Sequence, residues 1–248
     1  MLTFSQFGLW DARFGNKMFQ YAFMRAKAKK LNTTYCLRKW DGDDIFDLSD
    51  PNRRFDPEGQ MAHSYQEPYH NIGYNPETEN IQDNTDIAGW GYFQTYKYFD
   101  RQDALNWFRI KVPVNIIQNI HEYTTIHTRF GDYEGIRHQY PRPDMDFYRR
   151  AMALSGNNKF IVFSDDINLA RRYLGGLPNM HFHQGRMIDD FACMMLCNHN
   201  IICNSTFSWW AAHLNQRPGN KVIAPKLWFA PSFGVKNNDI YPPNWNVI

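Results

Sequence analysis

Little net charge, few cysteines and no long apolar run mark this 248-residue chain, and each scarcity excludes a class of protein. Its 27 Lys plus Arg nearly cancel 25 Asp plus Glu, leaving +2, which argues against a nucleic-acid binder that relies on a broad basic surface. No apolar run approaches the length needed to span a bilayer, and Met1-Leu2-Thr3-Phe4-Ser5-Gln6 lacks a charged-then-apolar leader pattern. A soluble, cytoplasmic protein with no transmembrane segment is therefore expected. The four cysteines (Cys36, Cys193, Cys197, Cys203) include no Cys-x-x-Cys. Cys193 and Cys197 share one face of a predicted helix, but nearby His199 and Cys203 leave it for a strand. Buried thiols are expected rather than a zinc site. There is no internal repeat and no low-complexity tract. What is abundant is aromatic: 17% of residues, in clusters. At 29.4 kDa the chain can bury a substantial core, as one large domain or two small ones.

The second half alternates strand and helix with little slack. Strands are predicted over Tyr123 to Arg129, Lys159 to Ser164, Met180 to His183, Asn200 to Cys203 and Lys221 to Ala224. Helices are predicted over Asp146 to Leu154, Asp165 to Leu174, Asp189 to Cys197 and Phe207 to Leu214. Such alternation implies a parallel, doubly wound sheet. In the first half Gly15 to Leu31 reads as a helix with Phe19, Ala22, Phe23 and Ala26 on one stripe, and Thr33 to Leu37 as the next strand. Its Arg25–Lys30 basic cluster suits a helix C-terminus. From Trp40 to Ile87 periodicity is weak, so loops and short helices are expected; Ala88 to Phe108 returns to order. A boundary near residues 110–120 divides the chain into an N-terminal half, 1–115, and a C-terminal half, 116–248, two α/β halves with a cleft between them.

The segment Ile126-His127-Thr128-Arg129-Phe130-Gly131-Asp132-Tyr133 is a strand that breaks into a glycine turn. Alternation puts His127 and Arg129 on one face, at the strand end where open α/β sheets bind ligands. The guanidinium fork suits a phosphate; a buried Arg129–Asp132 pair that holds the turn is the alternative. Two further segments lead into helix starts, which attract anions: Ala12 to Ala22, where Asn16 can cap or donate, and Asn204-Ser205-Thr206-Phe207 ahead of Trp209-Trp210. Carboxylates stand at Asp165-Asp166 and Asp189-Asp190, either as helix caps or as acceptors for the N1–H and amino edge of guanine. Asp41-Gly42-Asp43 has the Asp-x-Asp pattern that holds Mn²⁺ or Mg²⁺ elsewhere, but it lies in a loop with further acids and reads better as solvated.

These segments together resemble the α-1,2-fucosyltransferase family, which uses GDP-fucose. Ala12 to Ala22 is similar to its Gly-x-x-Gly-Asn-x-Met-Phe-Gln-Tyr-Ala block. Gly91 to Phe99, His127 to Tyr133 and Phe163 to Asp166 match three further blocks. Asp190, Cys197-Asn198-His199 and Asn204 to Ala211 match the last, and Val222-Ile223-Ala224-Pro225 with Trp228 also fits. The resemblance implies a GT-B fold of two Rossmann-type halves with parallel sheets that face a cleft. It also implies a transferase that moves L-fucose from GDP-fucose, with inversion and without metal or cofactor, to O2 of a terminal galactose on a glycan.

By the same resemblance Arg129 holds the β-phosphate, His127 and Asp190 read guanine, Ser205, Thr206 and Phe207 close over the diphosphate, Asn16 approaches from the other half, and Asp165 and Asp166 serve the nucleotide or the fold. Departures are Ala12 for glycine and Lys17 for glutamine. No motif fixes the general base; Glu134 is the first choice and Asp11 the next. Tyr65, Tyr69, Tyr74, Trp90 and Tyr92 either stack on sugar or form the first half's core. The alternatives are another GDP-sugar or linkage, or an inactive glycan- or nucleotide-binding module.

Overall fold

Every pairing between the named strands is parallel, as strand–helix–strand connectivity demands. The structure, a computed structural model of the chain, describes residues 1–8, 12–56, 59–69, 73–89, 91–235 and 239–248. Two units emerge, Met1–Val112 with Val235–Pro242, and Pro113–Gly234 with Pro243–Ile248. No described helix is long and apolar enough to cross a membrane.

The first unit runs β1 (Leu2–Thr3), α1 (Phe14–Leu31), β2 (Tyr35–Cys36), α2 (Asp41–Ile45), β3 (Arg53–Arg54), β4 (His63–Tyr65), β5 (Thr85–Ile87) and α3 (Arg101–Trp107). Its five strands order as β3-β2-β1-β5-β4. The weakly periodic stretch thus holds strands as well as loops. They span two or three residues each, too few to show an alternation. The stripe expected on α1 widens: Met18 to Met24 are all buried, while Ala26 is only half-buried. A helix buried nearly all round needs neighbours on every side, and the aromatic residues supply them. Phe23 stacks on Phe93 at 3.7 Å between ring centroids, and Phe14 lies against Trp40 and Phe46. The basic cluster is neutralised: Arg25 pairs with Asp50, Lys29 with Asp103 and Lys30 with Glu79, and Lys27 donates to the Thr78 carbonyl.

The second unit runs β6 (Thr124–Thr128), α4 (Met145–Ser155), β7 (Phe160–Ser164), α5 (Ile167–Leu174), β8 (Met180–Phe182), α6 (Met187–Leu196), β9 (His199–Ile201), α7 (Thr206–His213), β10 (Val222–Ala224) and β11 (Asn246–Val247). Its six strands order as β11-β10-β9-β6-β7-β8. The order is that of a Rossmann sheet, reversing direction between β6 and β9. Ile126, Val162, Ile201 and Ile223 form a core against Phe147, Tyr148, Ala151 and Ala170 of α4 and α5. β11 lies beyond the last expected strand. The expected second half, 116–248, also needs correction, because Val235–Pro242 belongs to the first unit. There Asp239 accepts from the Tyr74 N–H at 3.1 Å, pairs with Lys97 at 2.9 Å, and its carbonyl accepts from the Thr95 hydroxyl at 2.9 Å.

Candidate active site

The reversal between β6 and β9 is where a sheet of this order leaves a crevice beyond its strand ends. Ile126 pairs with Ile201, so the chain leaves β6 at Arg129 beside the exit from β9 at Cys203. Three residues later α7 begins at Thr206, with Ser205 as its N-cap. Ser205 is buried and its hydroxyl makes no cap hydrogen bond, so the first amides of α7 are not satisfied by their own cap. Asn204 is structural: its amide donates to the carbonyls of Pro141 at 3.1 Å and Trp228 at 2.9 Å.

Arg129 holds the pair that the turn reading anticipated. Its Nε and Nη2 donate to Asp132 Oδ1 at 3.0 and 2.8 Å, and its Nε lies 3.3 Å from Asp165 Oδ2. Among the described residues no hydrogen bond uses its Nη1. Burial pulls this guanidinium's pKa down, but the carboxylates of Asp165 and Asp132 more than reverse it, so it is raised. The charge is permanent, and its side chain keeps 14% exposure. Asp165 also accepts the Phe130 N–H at 2.8 Å, and a Cβ on Gly131 would collide with its carboxylate. Asp165 thus shapes the turn that presents Arg129.

His127 points, as alternation requires, to the same side as Arg129, into the space under α7. It is 3% exposed, with Nδ1 3.3 Å from the Cys203 sulfur and its ring 5.5 Å from Phe207. Burial, then the neighbouring Arg129 charge, push its imidazole down to about 3, so it is neutral at physiological pH. Phe207 packs in turn on Phe191 of α6 at 5.2 Å. Cys203 is a protonated thiol, pushed up to about 12 by burial. All four cysteines are free and buried.

The adjacent acids of α6 have opposite surroundings. Asp189 takes two 2.8 Å bonds from Arg186 and the Asn115 N–H at 2.9 Å, and these hold its carboxyl well below the usual range. Asp190 is 9% exposed, and its buried Oδ1 makes no hydrogen bond. Burial, with Asp189's charge adding, pushes it up to about 7. The nearest base is His183, 3.6 Å from Oδ1.

Other candidates have structural duties. Asp166 caps α5 by accepting the Leu169 N–H at 2.9 Å. Glu134 is gripped by Arg137 and Arg142, one on each oxygen. Asp11 and Trp90 lie outside the described residues. In the first unit Arg13, not Asn16, is the N-cap of α1. Asn16 accepts from the Gln94 amide at 3.0 Å, and Gln20 donates to the Gly91 carbonyl at 2.7 Å. The first two motif blocks are therefore bonded to each other. Lys17 pairs with Asp41 at 3.1 Å, and Asp43 pairs with Arg53 and accepts the Trp40 N–H, so both carboxylates of the Asp-x-Asp have protein partners. Tyr65 and Tyr74 join the first unit's aromatic packing, on Phe93 and Tyr98; Tyr69 is 52% exposed.

One residue escaped the sequence reading. Glu67, 2% exposed, accepts the Tyr92 and Phe93 N–H groups at 2.7 and 3.1 Å and holds Phe93 at a left-handed φ of 51°. Burial pushes it up to about 8 against the pull of those two amides. It is the lone acid of Tyr65-Gln66-Glu67-Pro68-Tyr69; nothing local marks it.

A Rossmann-ordered sheet with a fixed cation and a helix start at its strand-order reversal is the arrangement in which open α/β sheets place a ligand crevice. The model of glycosyl transferase family 11 matches residues 89–248, and the chain belongs to that family. It is 32% identical over 165 residues to the O-antigen biosynthesis glycosyltransferase WbnK of Escherichia coli, covering 57% of this chain and 55% of the relative. It is 29% identical over 161 residues to an alpha-1,2-colitosyltransferase of Escherichia coli, covering 56% and 55%. The chain spans about half the length of these curated relatives. Among solved structures, NodZ alpha-1,6-fucosyltransferase soaked with GDP-fucose superposes with a TM-score of 0.50 at 12% identity, over 86% of this chain and 92% of that one. POFUT1 in complex with GDP-fucose gives 0.51 at 13%, over 89% and 96%. The fold is thus GT-B-like, with two parallel-sheet α/β units.

Proposed function

We propose that this protein transfers L-fucose from GDP-fucose to a glycan hydroxyl, O2 of a terminal galactose, with inversion and without a metal ion or other cofactor. The observation that carries the reading is Arg129: a permanent cation, held by Asp132 and Asp165, at the β6/β9 reversal beside the start of α7. When the fucosyl bond breaks, negative charge grows on the β-phosphate. A pre-positioned guanidinium and helix amides stabilise that charge more in the transition state than in the ground state, the task a divalent ion performs in other transferases. Neutral His127 leaves the phosphate charge to Arg129, and Asp190 is the acceptor for the donor edge of guanine. Ser205, Thr206 and Phe207 complete the donor site in this reading. Family membership, and neighbours solved with GDP-fucose, support the donor; the alpha-1,2 linkage in one relative's name supports O2. That same name, a colitosyltransferase, favours a second reading in which the sugar is another deoxyhexose.

Thermal stabilisation by GDP-fucose, GDP-mannose and GDP, followed by GDP release on an array of galactose-terminated oligosaccharides, tests the proposal. GDP-fucose should stabilise at least as well as GDP, and a galactoside should raise GDP release above the rate in water alone, with chelator present. Absence of GDP release with every galactoside, in a protein that GDP-fucose still stabilises, points instead to a binding module; loss of activity in chelator overturns the metal-free mechanism.

A further inference from the structure

The first unit has its own reversal of strand order, and it carries a cavity. Register places Ser64, Asp86, Thr3 and Cys36 side by side on one face of the sheet, since Ser64 and Thr3 both pair with Asp86 and Thr3 pairs with Cys36. The alternating face, Leu2, Tyr35 and Ile87, is apolar and buried. Parallel sheets ordinarily bury both faces under apolar packing; here one face is a polar row. A cavity of about 420 Å³ lies over it, bounded by Ser5, Arg38 and Phe55, the residues that follow β1, β2 and β3. That is the carboxyl-end rim, and its centre is the β1/β5 neighbour pair at which strand order turns back. The volume falls in the roughly 300–1,000 Å³ range of small-ligand sites.

We infer that this cavity binds one neutral sugar residue, and, resting on the preceding reading, that the sugar belongs to the glycan acceptor. The floor is a carboxylate fixed in place: Asp86 Oδ1 accepts from the Thr3 hydroxyl at 2.6 Å and the Ser5 N–H at 3.0 Å, and Oδ2 accepts from the Ser5 hydroxyl at 2.7 Å. Each carboxylate oxygen accepts about two hydrogen bonds, so Oδ2 has one direction left for a ligand hydroxyl. The floor carboxylate and the Arg38 guanidinium at the rim carry opposite charges, so the cavity has no net charge to draw an anionic or cationic ligand over a neutral one. On the wall, Phe55 is 46% exposed although aromatic, with the Arg53 guanidinium 4.7 Å and the Lys39 ammonium 5.9 Å from its ring centroid. A ring fixed beside an aligned acceptor matches a hexose, whose C–H face is apolar and whose edge is a row of hydroxyl donors.

The test titrates lactose against the whole protein by saturation-transfer NMR, with GDP-fucose affinity measured separately. Asp86→Asn should weaken lactose binding by about tenfold, the scale of one charge-assisted hydrogen bond, and Phe55→Ala by several-fold; GDP-fucose affinity should not move in either. Phe55 is exposed, so its variant decides the matter if Asp86→Asn fails to fold. Lactose affinity unchanged in Phe55→Ala, or no lactose binding by the parent protein, overturns the inference. Lactose binding that depends on Phe55 in a protein that ignores GDP-fucose leaves the cavity standing and removes the donor reading.

Discussion

The two sheets end in opposite rims. In the second unit a guanidinium is fixed by two carboxylates, Asp132 and Asp165. In the first, a carboxylate is fixed by two hydroxyls and an amide, from Thr3 and Ser5. Both devices obey one rule: a half-buried ion needs partners that hold it in place, and whatever capacity remains is aimed outward. A fixed cation suits a diphosphate; a fixed carboxylate suits hydroxyl donors. The same contrast recurs on one helix turn, where Asp189 is saturated by Arg186 and Asn115 while Asp190 has a bare oxygen.

The sharpest way to probe the contrast is pH. Each unit buries one acid whose folded pKa is raised, Glu67 to about 8 and Asp190 to about 7. A raised acid favours folding below its ordinary carboxylate value and loses that contribution as pH climbs through the folded value. Glu67→Gln and Asp190→Asn should therefore each gain stability over the parent as pH rises from 4 towards 8, by on the order of 4 kcal/mol, read by urea denaturation at each pH. Asp190→Asn should lose GDP affinity at the same time. An equal gain at pH 4 and pH 8 would contradict the assignment.

Next in size, Arg129→Ala should lower turnover with GDP-fucose by on the order of 10²-fold, about 3 kcal/mol of transition-state stabilisation; transfer near the parent rate refutes the role given to this cation. Asp166→Ala should cost about 1 kcal/mol of stability through the lost cap and leave GDP affinity alone. A drop in GDP affinity with stability intact would return Asp166 to the nucleotide site. Smallest of all, Glu134→Gln should keep turnover within about threefold, the scale of an exposed ion pair; a loss of orders of magnitude would restore Glu134 as the general base.

How much of this was legible differed between the units for a physical reason. Strands of five residues such as Thr124–Thr128 and Phe160–Ser164, each followed by a helix with its own caps, leave periodic signals, so the second sheet was readable almost strand by strand. Leu2–Thr3 and Arg53–Arg54 are two residues long and hold their places by tertiary pairing alone. The turn at Arg129 was legible down to its alternative, because Asp132 sits three residues away. Asp165, thirty-six positions from Arg129, was visible as an acid at a strand tip but not as that arginine's second anchor. Glu67 was not legible at all, since the amides it holds lie 25 and 26 residues onward.

Local chemistry therefore settled the strand–helix alternation, the parallel sheets, the side on which His127 and Arg129 emerge, and the family blocks, because each depends on neighbours a few residues away along the chain. Only folding decided that His127 is neutral, that Asp189 and Asp190 part company, that Glu134 and Asp166 are held by other duties, and that Asp86 floors a cavity. Charge state and free hydrogen-bonding capacity depend on burial and on which distant groups arrive within about 3 Å, and no spacing in a sequence encodes that distance.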